Sequence, residues 1–196
     1  MPPLEQIDLV LASTSRYRRE LLARLATYFR TLAPAVDETA HAGETPLALA
    51  RRLAEAKASA VAALAPGAFV IGSDQVADCD GALLGKPGDA ARACEQLRRC
   101  AGRSVSFHTA LCLIDPAGTA RSDIDTTRVF FRPLSEDEIA RYVAREQPFD
   151  CAGSFKAESL GIALFEKIES NDPTALIGLP LIALCRLLRE AGVSVV

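Results

Sequence analysis

The sequence LVLASTSRYRRELL, residues 9–22, joins an apolar run to three hydroxyl residues and then to a basic, amphipathic segment. This order predicts a strand, a turn and a helix, with Ser13 or Ser15 as the N-cap of the helix. Three arginines then fall in the first helical turn, where the helix dipole is itself positive. We interpret this conflict as a site for a phosphate, which serine hydroxyls, arginines and a helix N-terminus bind together. The alternative is an arginine-rich helix face in solvent.

The composition is that of an ordinary globular protein. Hydrophobic residues make up 49% of the 196 residues, charged residues make up 24%, and the net charge is −3. A negatively charged chain without tryptophan lacks the overall attraction and the stacking surfaces expected of a nucleic-acid-binding protein, and it does not attract anionic lipid. Any anion site must therefore be local.

The cysteines, histidines and N-terminus exclude several further classes. The six cysteines form no CxxC pair and there are only two histidines, which argues against a zinc site and a disulfide framework. Neither histidine lies in a motif of triad chemistry. The first residues lack the pattern of a secretion signal, and the longest uncharged apolar run, 174–185, is too short to span a bilayer. These features predict a cytoplasmic protein with reduced cysteines.

The hydrophobic pattern predicts an α/β fold. Strands are expected at residues 7–12, 28–33, 68–72, 104–114, 119–131 and 161–168. Helices are expected at 16–26, 47–65, 89–100, 135–145 and from 181 to a stop at 192. Early alternation of strands and helices, with a hairpin of long strands in the middle, favours a mixed twisted sheet flanked by helices.

Asp74 and Lys57 are the first candidates for chemistry. Asp74 follows an apolar strand, at the end where open α/β sheets bind ligands, and can hold a cation or accept a proton from water. An aspartate that caps a hairpin turn is equally consistent. Lys57 falls inside the apolar stripe of its helix, so it either reaches past the edge of the core or binds an anion.

Further charged residues lie in loops. Lys86 stands in a stiff GKP turn, Glu38 follows the second strand, and Lys156 and Glu158 lie in a polar loop. Each is also consistent with a solvated surface charge. The chain has no GxxxxGK[ST] and no GxGxxG motif. Basic residues from several segments, together with two or three carboxylates, suit a metal-bound polyphosphate.

Seven short motifs, in order along essentially the whole chain, resemble the Maf family. They are STSxxRR (13–19), VDET (36–39), EAK (55–57), GSDQV (72–76), GKP (85–87), CAGSFK (151–156) and GLPL (178–181). The resemblance implies a single Maf-type domain over residues 1–196, with two lobes around a central cleft and a Maf/ITPase-like fold.

Maf proteins are nucleoside triphosphate pyrophosphatases that need a divalent cation, Mg²⁺ or Mn²⁺, and they often form homodimers. This chain looks most like the branch that acts on 7-methylguanosine triphosphate (7-methyl-GTP) and so clears modified nucleotides before they enter nucleic acid. The resemblance implies Asp74 as the general base. The implied phosphate- and metal-binding residues are Ser13, Arg18, Glu38, Lys57 and Lys86. We expect Asp74 and Glu38 to bind the cation. We expect Ser15 to bind the triphosphate together with Ser13.

The implied base-specificity residues are Tyr17, Gln75 and Glu158. The 7-methylguanine base carries a positive charge, so the Tyr17 ring can stack on it and Glu158 can accept hydrogen bonds from its N–H edge. Arg16 stands where the family usually has proline, and Ser159 where glycine is expected. Two alternatives stay open: a dTTP/UTP pyrophosphatase of the same family, and a nucleotide-binding regulator of cell division without catalysis.

Overall fold

The computed structural model describes residues 1–196 and confirms a mixed α/β fold, with one sheet flanked by helices. The strands are β1 (Leu9–Ala12), β2 (Arg30–Leu32), β3 (Phe69–Cys79), β4 (Ala82–Leu84), β5 (Ser104–Ile114), β6 (Ala120–Phe131) and β7 (Phe165–Glu169). The helices are α1 (Arg16–Leu22), α2 (Pro46–Ala62), α3 (Ala90–Cys100), α4 (Glu136–Glu146) and α5 (Leu181–Glu190). None of these helices combines the length and the apolar character needed to span a bilayer.

The sheet has the strand order β2-β1-β3-β5-β6-β7, and β4 pairs with β3. Strand β1 runs parallel to β2 and β3, whereas the β3–β4 and β6–β7 pairs are antiparallel. Contacts divide the chain into two compact units. The first comprises residues 1–75, 109–125 and 172–196, and the second comprises 76–108 and 126–171. The expected single domain with a central cleft stays a prediction.

In the first unit, β3 has a different partner on each of its faces. Phe69 and Ile71 join a core with the leucines of α1 and α5. Gly72 faces α2, where a Cβ atom would overlap the carbonyl oxygen of Ala54 and lie 2.6 Å from the amide nitrogen of Ala58. The absent side chain therefore lets the helix backbone approach the strand more closely than any other residue would allow.

The second unit has its own aromatic core. Phe107, Phe131, Phe155 and Phe165 meet in edge-to-face pairs with ring centroids 4.8–5.6 Å apart. Such pairs add about 0.5–1.5 kcal/mol each beyond the area that they bury. All six cysteines are free.

Two predicted strands are wrong in extent. The strand expected at 68–72 continues to Cys79, so Asp74 lies inside β3 and does not follow it. The pairing of β1 with β3 ends at Gly72, and β3 then pairs with β4, which keeps the chain extended. The strand expected at 161–168 begins only at Phe165, because Leu160–Leu164 form a 3₁₀ turn. The Gly161 amide donates to the Lys156 carbonyl at 3.0 Å, which turns the chain back there.

The N-cap of α2 gives the first prediction. Thr45 Oγ1 accepts a hydrogen bond from the Ala48 amide at 3.2 Å, and Pro46 occupies the first helical turn. Thr45→Ala should cost about 1 kcal/mol of folding free energy, which lowers the melting temperature by roughly 2–4 °C. Thr45→Ser keeps the hydroxyl and is the control in thermal unfolding. Equal melting temperatures for the Ala and Ser variants would contradict the capping role.

Candidate active site

The carboxyl end of β1 lies beside the middle of β3. Ala12 is paired with Gly72 in the parallel register, so Ser13, the first residue after β1, comes next to Ser73, which is still inside β3. The Ser15 hydroxyl caps α1 by accepting from the Arg18 amide at 3.4 Å, and the Ser13 hydroxyl accepts from the Ser15 amide at 3.1 Å. Ser15 is therefore the N-cap, and both predicted serines shape the turn that precedes α1.

Lys57 links the two predicted metal-binding carboxylates. Its Nζ lies 2.6 Å from Asp74 Oδ1 and 2.6 Å from Glu38 Oε1. Lys57 is only 5% exposed and Asp74 only 8% exposed, whereas the Glu38 side chain is mostly exposed. A buried lysine is normally paired, and this one has two partners. Glu38, Lys57 and Asp74, which were predicted separately, thus form one cluster. Within it Lys57 is buried and does not extend past the edge of the core.

Arg18 is held beside this cluster by the segment that precedes α5. Its Nε donates to the Gly178 carbonyl at 2.8 Å, and the Ser73 hydroxyl donates to the same oxygen at 3.0 Å. Burial lowers the pKa of Arg18, while the negative charges of Asp74 and Glu38 oppose that shift. Since a guanidinium stays protonated in proteins, Arg18 offers a fixed positive charge whose terminal nitrogens suit an anion.

Gln75 lies on the face of β3 opposite Asp74, since side chains alternate along a strand. Its Nε2 is 2.9 Å from Thr109 Oγ1 and 3.0 Å from the carbonyl oxygens of both Ala175 and Leu176. Because carbonyl oxygens only accept hydrogen bonds, these contacts fix the orientation of the amide. Gln75 thus holds the segment that carries the Gly178 carbonyl.

Tyr17 and Arg16 are neighbours at the start of α1. The guanidinium carbon of Arg16 lies 5.1 Å from the centroid of the Tyr17 ring. Arg16 also forms an exposed ion pair with Glu20 at 3.6 Å. The residue that departs from the family pattern therefore interacts with the ring that we expect to stack on the base.

Lys86 and Glu158 belong to the second unit, and both are exposed. Lys86 follows β4, and Glu158 lies between Phe155 and the 3₁₀ turn. The nearby Lys156 donates from Nζ to the Glu146 carbonyl at the C-terminus of α4, at 3.0 Å, which is a structural contact. The roles of Lys86 and Glu158 stay predictions.

Sequence comparison identifies the family. Residues 8–191 match the family described as Maf-like protein. The chain belongs to the Maf family. Among its Maf relatives, the 7-methyl-GTP pyrophosphatase of Xanthomonas campestris pv. campestris (strain 8004) is 61% identical over 95% of this chain and 97% of that protein. The 7-methyl-GTP pyrophosphatase of Albidiferax ferrireducens is 55% identical over 97% of this chain and 96% of that protein.

Two solved structures resemble the Maf chain in fold. The Ham1 protein of Staphylococcus aureus has a TM-score of 0.52 at 13% identity, covering 94% of this chain and 99% of that one. A HAM1 protein from Coxiella burnetii has a TM-score of 0.51 at 16% identity, covering 94% and 100%. At such low identities the likeness shows the fold alone.

The donor atoms of this Maf site fit a hard divalent cation that is shared with a ligand. Glu38 and Asp74 supply carboxylate oxygens. Each has one oxygen 2.6 Å from the ammonium group of Lys57, so these two oxygens lie close to each other. No group of three or more His, Cys, Asp or Glu side chains forms a closed metal site. Mg²⁺ is commonly held by one or two carboxylates together with substrate phosphates, which agrees with this arrangement.

Proposed function

We propose that this Maf protein is a 7-methyl-GTP pyrophosphatase that releases 7-methyl-GMP and pyrophosphate. The observation that carries the chemistry is Lys57, buried between Asp74 and Glu38 beside the guanidinium of Arg18. The choice of substrate is supported by the names of relatives that are 55–61% identical over nearly the whole chain.

In the proposed reaction, Asp74 accepts a proton from the water that attacks the α-phosphorus. A new oxygen–phosphorus bond forms there, the bond to the bridging oxygen breaks, and pyrophosphate leaves. Lys57, Arg18 and Lys86 stabilise the negative charge that builds on this leaving group. A divalent cation held by Glu38 and Asp74 would neutralise the triphosphate oxygens. Ser13 and Ser15 bind the phosphates at the start of α1.

The product and the preferred base test this proposal. Purified protein is incubated with 7-methyl-GTP and Mg²⁺ or Mn²⁺, and the products are separated by ion-exchange chromatography. We expect 7-methyl-GMP and pyrophosphate in equal amounts, and no turnover once the cation is chelated. Release of inorganic phosphate, or faster turnover of dTTP or UTP in competition, would overturn it. Nucleotide binding without turnover would favour the regulatory alternative.

Tyr17 provides the test of base recognition. A ring stacked on the positively charged 7-methylguanine gains about 0.5–2 kcal/mol from the cation–π interaction. Tyr17→Ala should therefore raise KM for 7-methyl-GTP by roughly 2- to 30-fold, with a smaller effect on GTP, whose base is neutral. Tyr17→Phe keeps the ring and should retain the wild-type KM. If the Ala variant affects both nucleotides equally, Tyr17 does not distinguish the methylated base.

Three further properties complete the proposal. Glu158 and Gln75 contribute to base specificity, the protein works in the cytoplasm, and two chains form a homodimer. Light scattering coupled to size-exclusion chromatography measures the oligomeric state directly. A mass of one chain at working concentration would contradict the homodimer.

A further inference from the structure

The segment that carries Glu38 has no regular structure of its own. Residues 33–45 form neither helix nor strand, and the Glu38 side chain is 61% exposed. Yet Glu38 reaches Lys57 Nζ at 2.6 Å, which requires its backbone to be held in place. An exposed carboxylate on a long loop would otherwise sample many positions.

Arg52 ties this segment to α2. Its Nε lies 2.7 Å from Glu44 Oε1 and its Nη2 lies 2.9 Å from Glu44 Oε2, a two-point pairing. The same Nη2 donates to the Thr39 carbonyl at 3.0 Å. One guanidinium therefore fixes both the far end of the segment and the residue next to Glu38. We call this arrangement the Arg52–Glu44 clamp.

The clamp is firmer than a typical surface ion pair. The side chains of Arg52 and Glu44 are 29% and 10% exposed. The bonds from Arg52, and then the bond from the His41 amide at 3.0 Å, lower the pKa of Glu44 to about 2. Glu44 is thus charged over the whole neutral range. Two-point pairing of Arg with a carboxylate also adds geometric specificity that isolated exposed pairs lack.

The clamp and Lys57 share one rigid element. Arg52 and Lys57 both project from α2, whose contact with β3 at Gly72 also places Asp74. On the near side of Glu38, Asp37 Oδ1 accepts from the Thr39 amide at 2.9 Å and tightens the turn. Hydrogen bonds therefore fix the chain on both sides of Glu38. On the C-terminal side these bonds come from Arg52, which projects from the same helix as Lys57.

We infer that Arg52 and Glu44 are positioning residues, which hold Glu38 where it binds the divalent cation of the substrate complex. The inference rests on the proposed function, because that function places the cation on Glu38 and Asp74. Neither clamp residue touches the reacting atoms. Their effect is to fix a metal-binding carboxylate from outside the site. Loss of a group bonded directly to a metal ligand typically weakens metal binding about 10- to 100-fold, and we expect the lower end of that range for a clamp that acts through the backbone.

The experiment compares Arg52→Gln with Arg51→Gln. Arg51 is the adjacent, exposed arginine on α2, so both variants lose one positive charge from the same turn. Binding of Mn²⁺ is measured by electron paramagnetic resonance with the α,β-methylene analogue of 7-methyl-GTP present. We expect Arg52→Gln to weaken Mn²⁺ binding about tenfold. Arg51→Gln should stay within about twofold of wild type.

Kinetics give a second readout. Arg52→Gln should raise the Mg²⁺ concentration for half-maximal rate about tenfold, while kcat at saturating Mg²⁺ falls less than about threefold. Glu44→Gln should behave alike, and the double variant should be no worse than either, because the pair acts as a unit. If Arg52→Gln does not fold, Arg52→Lys keeps the charge without the two-point geometry and should give a smaller shift of the same kind.

The outcomes separate the inference from the proposed function. Equal Mn²⁺ affinity in Arg52→Gln and Arg51→Gln overturns the inference, even if Arg52→Gln melts at a lower temperature, since the clamp would then be only structural. If wild-type protein binds no Mn²⁺ with the analogue, or releases no pyrophosphate, the proposed function itself fails.

Discussion

Asp74→Asn should lower kcat for the proposed hydrolysis of 7-methyl-GTP by about 10³-fold, the usual scale for loss of a general base. Asparagine has the same shape but cannot take a proton from water. Asp74 is 8% exposed and its Oδ1 lies 2.6 Å from Lys57 Nζ. Rapid quenching with separation of the nucleotide products measures the single-turnover rate.

The matched control is Asp80→Asn. Asp80 follows the end of β3, is exposed, and pairs with Arg103 at 2.6 Å. This variant makes the same chemical change outside the cluster, and its rate should stay within about twofold of wild type. Calorimetry on Asp74→Asn should still detect binding of the nucleotide, since Arg18 and Lys57 are retained. A full rate in Asp74→Asn would refute the assignment of the base.

Gly72→Ala should have the largest effect on stability among single methyl additions in the first unit. The new methyl group would meet backbone atoms of α2, at Ala54 and Ala58, which cannot turn away as a side chain does. The helix must shift from β3, at a cost of about 3 kcal/mol and a melting temperature roughly 6–12 °C lower. A shift of about 1 Å between Lys57 and Asp74 would also reduce the rate of the proposed hydrolysis about 100-fold.

Two comparisons test the cause of that loss. Gly85→Ala places a methyl group where nothing lies within 4 Å and should leave the melting temperature unchanged. Combining Gly72→Ala with Ala58→Gly removes one side-chain obstacle but leaves the carbonyl of Ala54 and the amide of Ala58 in place. We therefore expect no recovery. Recovery in the double variant would show that side-chain crowding, not the helix backbone, sets the limit.

Local patterns were sufficient for most of the elements. The hydroxyl run before α1 and the Thr45–Pro46 start of α2 each act through a neighbour three residues away, which a sequence displays directly. The extent of β3 depends on different information. Its continuation to Cys79 results from pairing with β4 after β1 has ended. The Asp80-Gly81 sequence is typical of a hairpin turn, but it does not show that the strand before this turn is the one that also pairs with β1.

In the candidate site, too, some features follow from local sequence and others depend on the fold. The position of Lys57 in an apolar stripe follows from helical periodicity, but it left two interpretations open, and the structure shows a buried lysine paired with a carboxylate. Its partners Glu38 and Asp74 come from separate segments, and only the fold shows their proximity. Arg52, Ser73 and Thr109 were missed, since each acts through a backbone carbonyl or an amide that belongs to another segment. Only Ser73, inside the GSDQV motif, had a signal that could have found it.

The bond from Arg18 to the Gly178 carbonyl has a consequence for synthesis of the protein. Its two residues are separated by 160 positions, so the ribosome adds the acceptor long after the donor. The hydrogen bonds from Ser73 to the Gly178 carbonyl and from Gln75 to the Ala175 carbonyl likewise form only after the segment that holds these carbonyls has been synthesised. Arg18 thus acquires this orientation only after residue 178 has been added, and a shorter nascent chain lacks the geometry that we propose for phosphate binding.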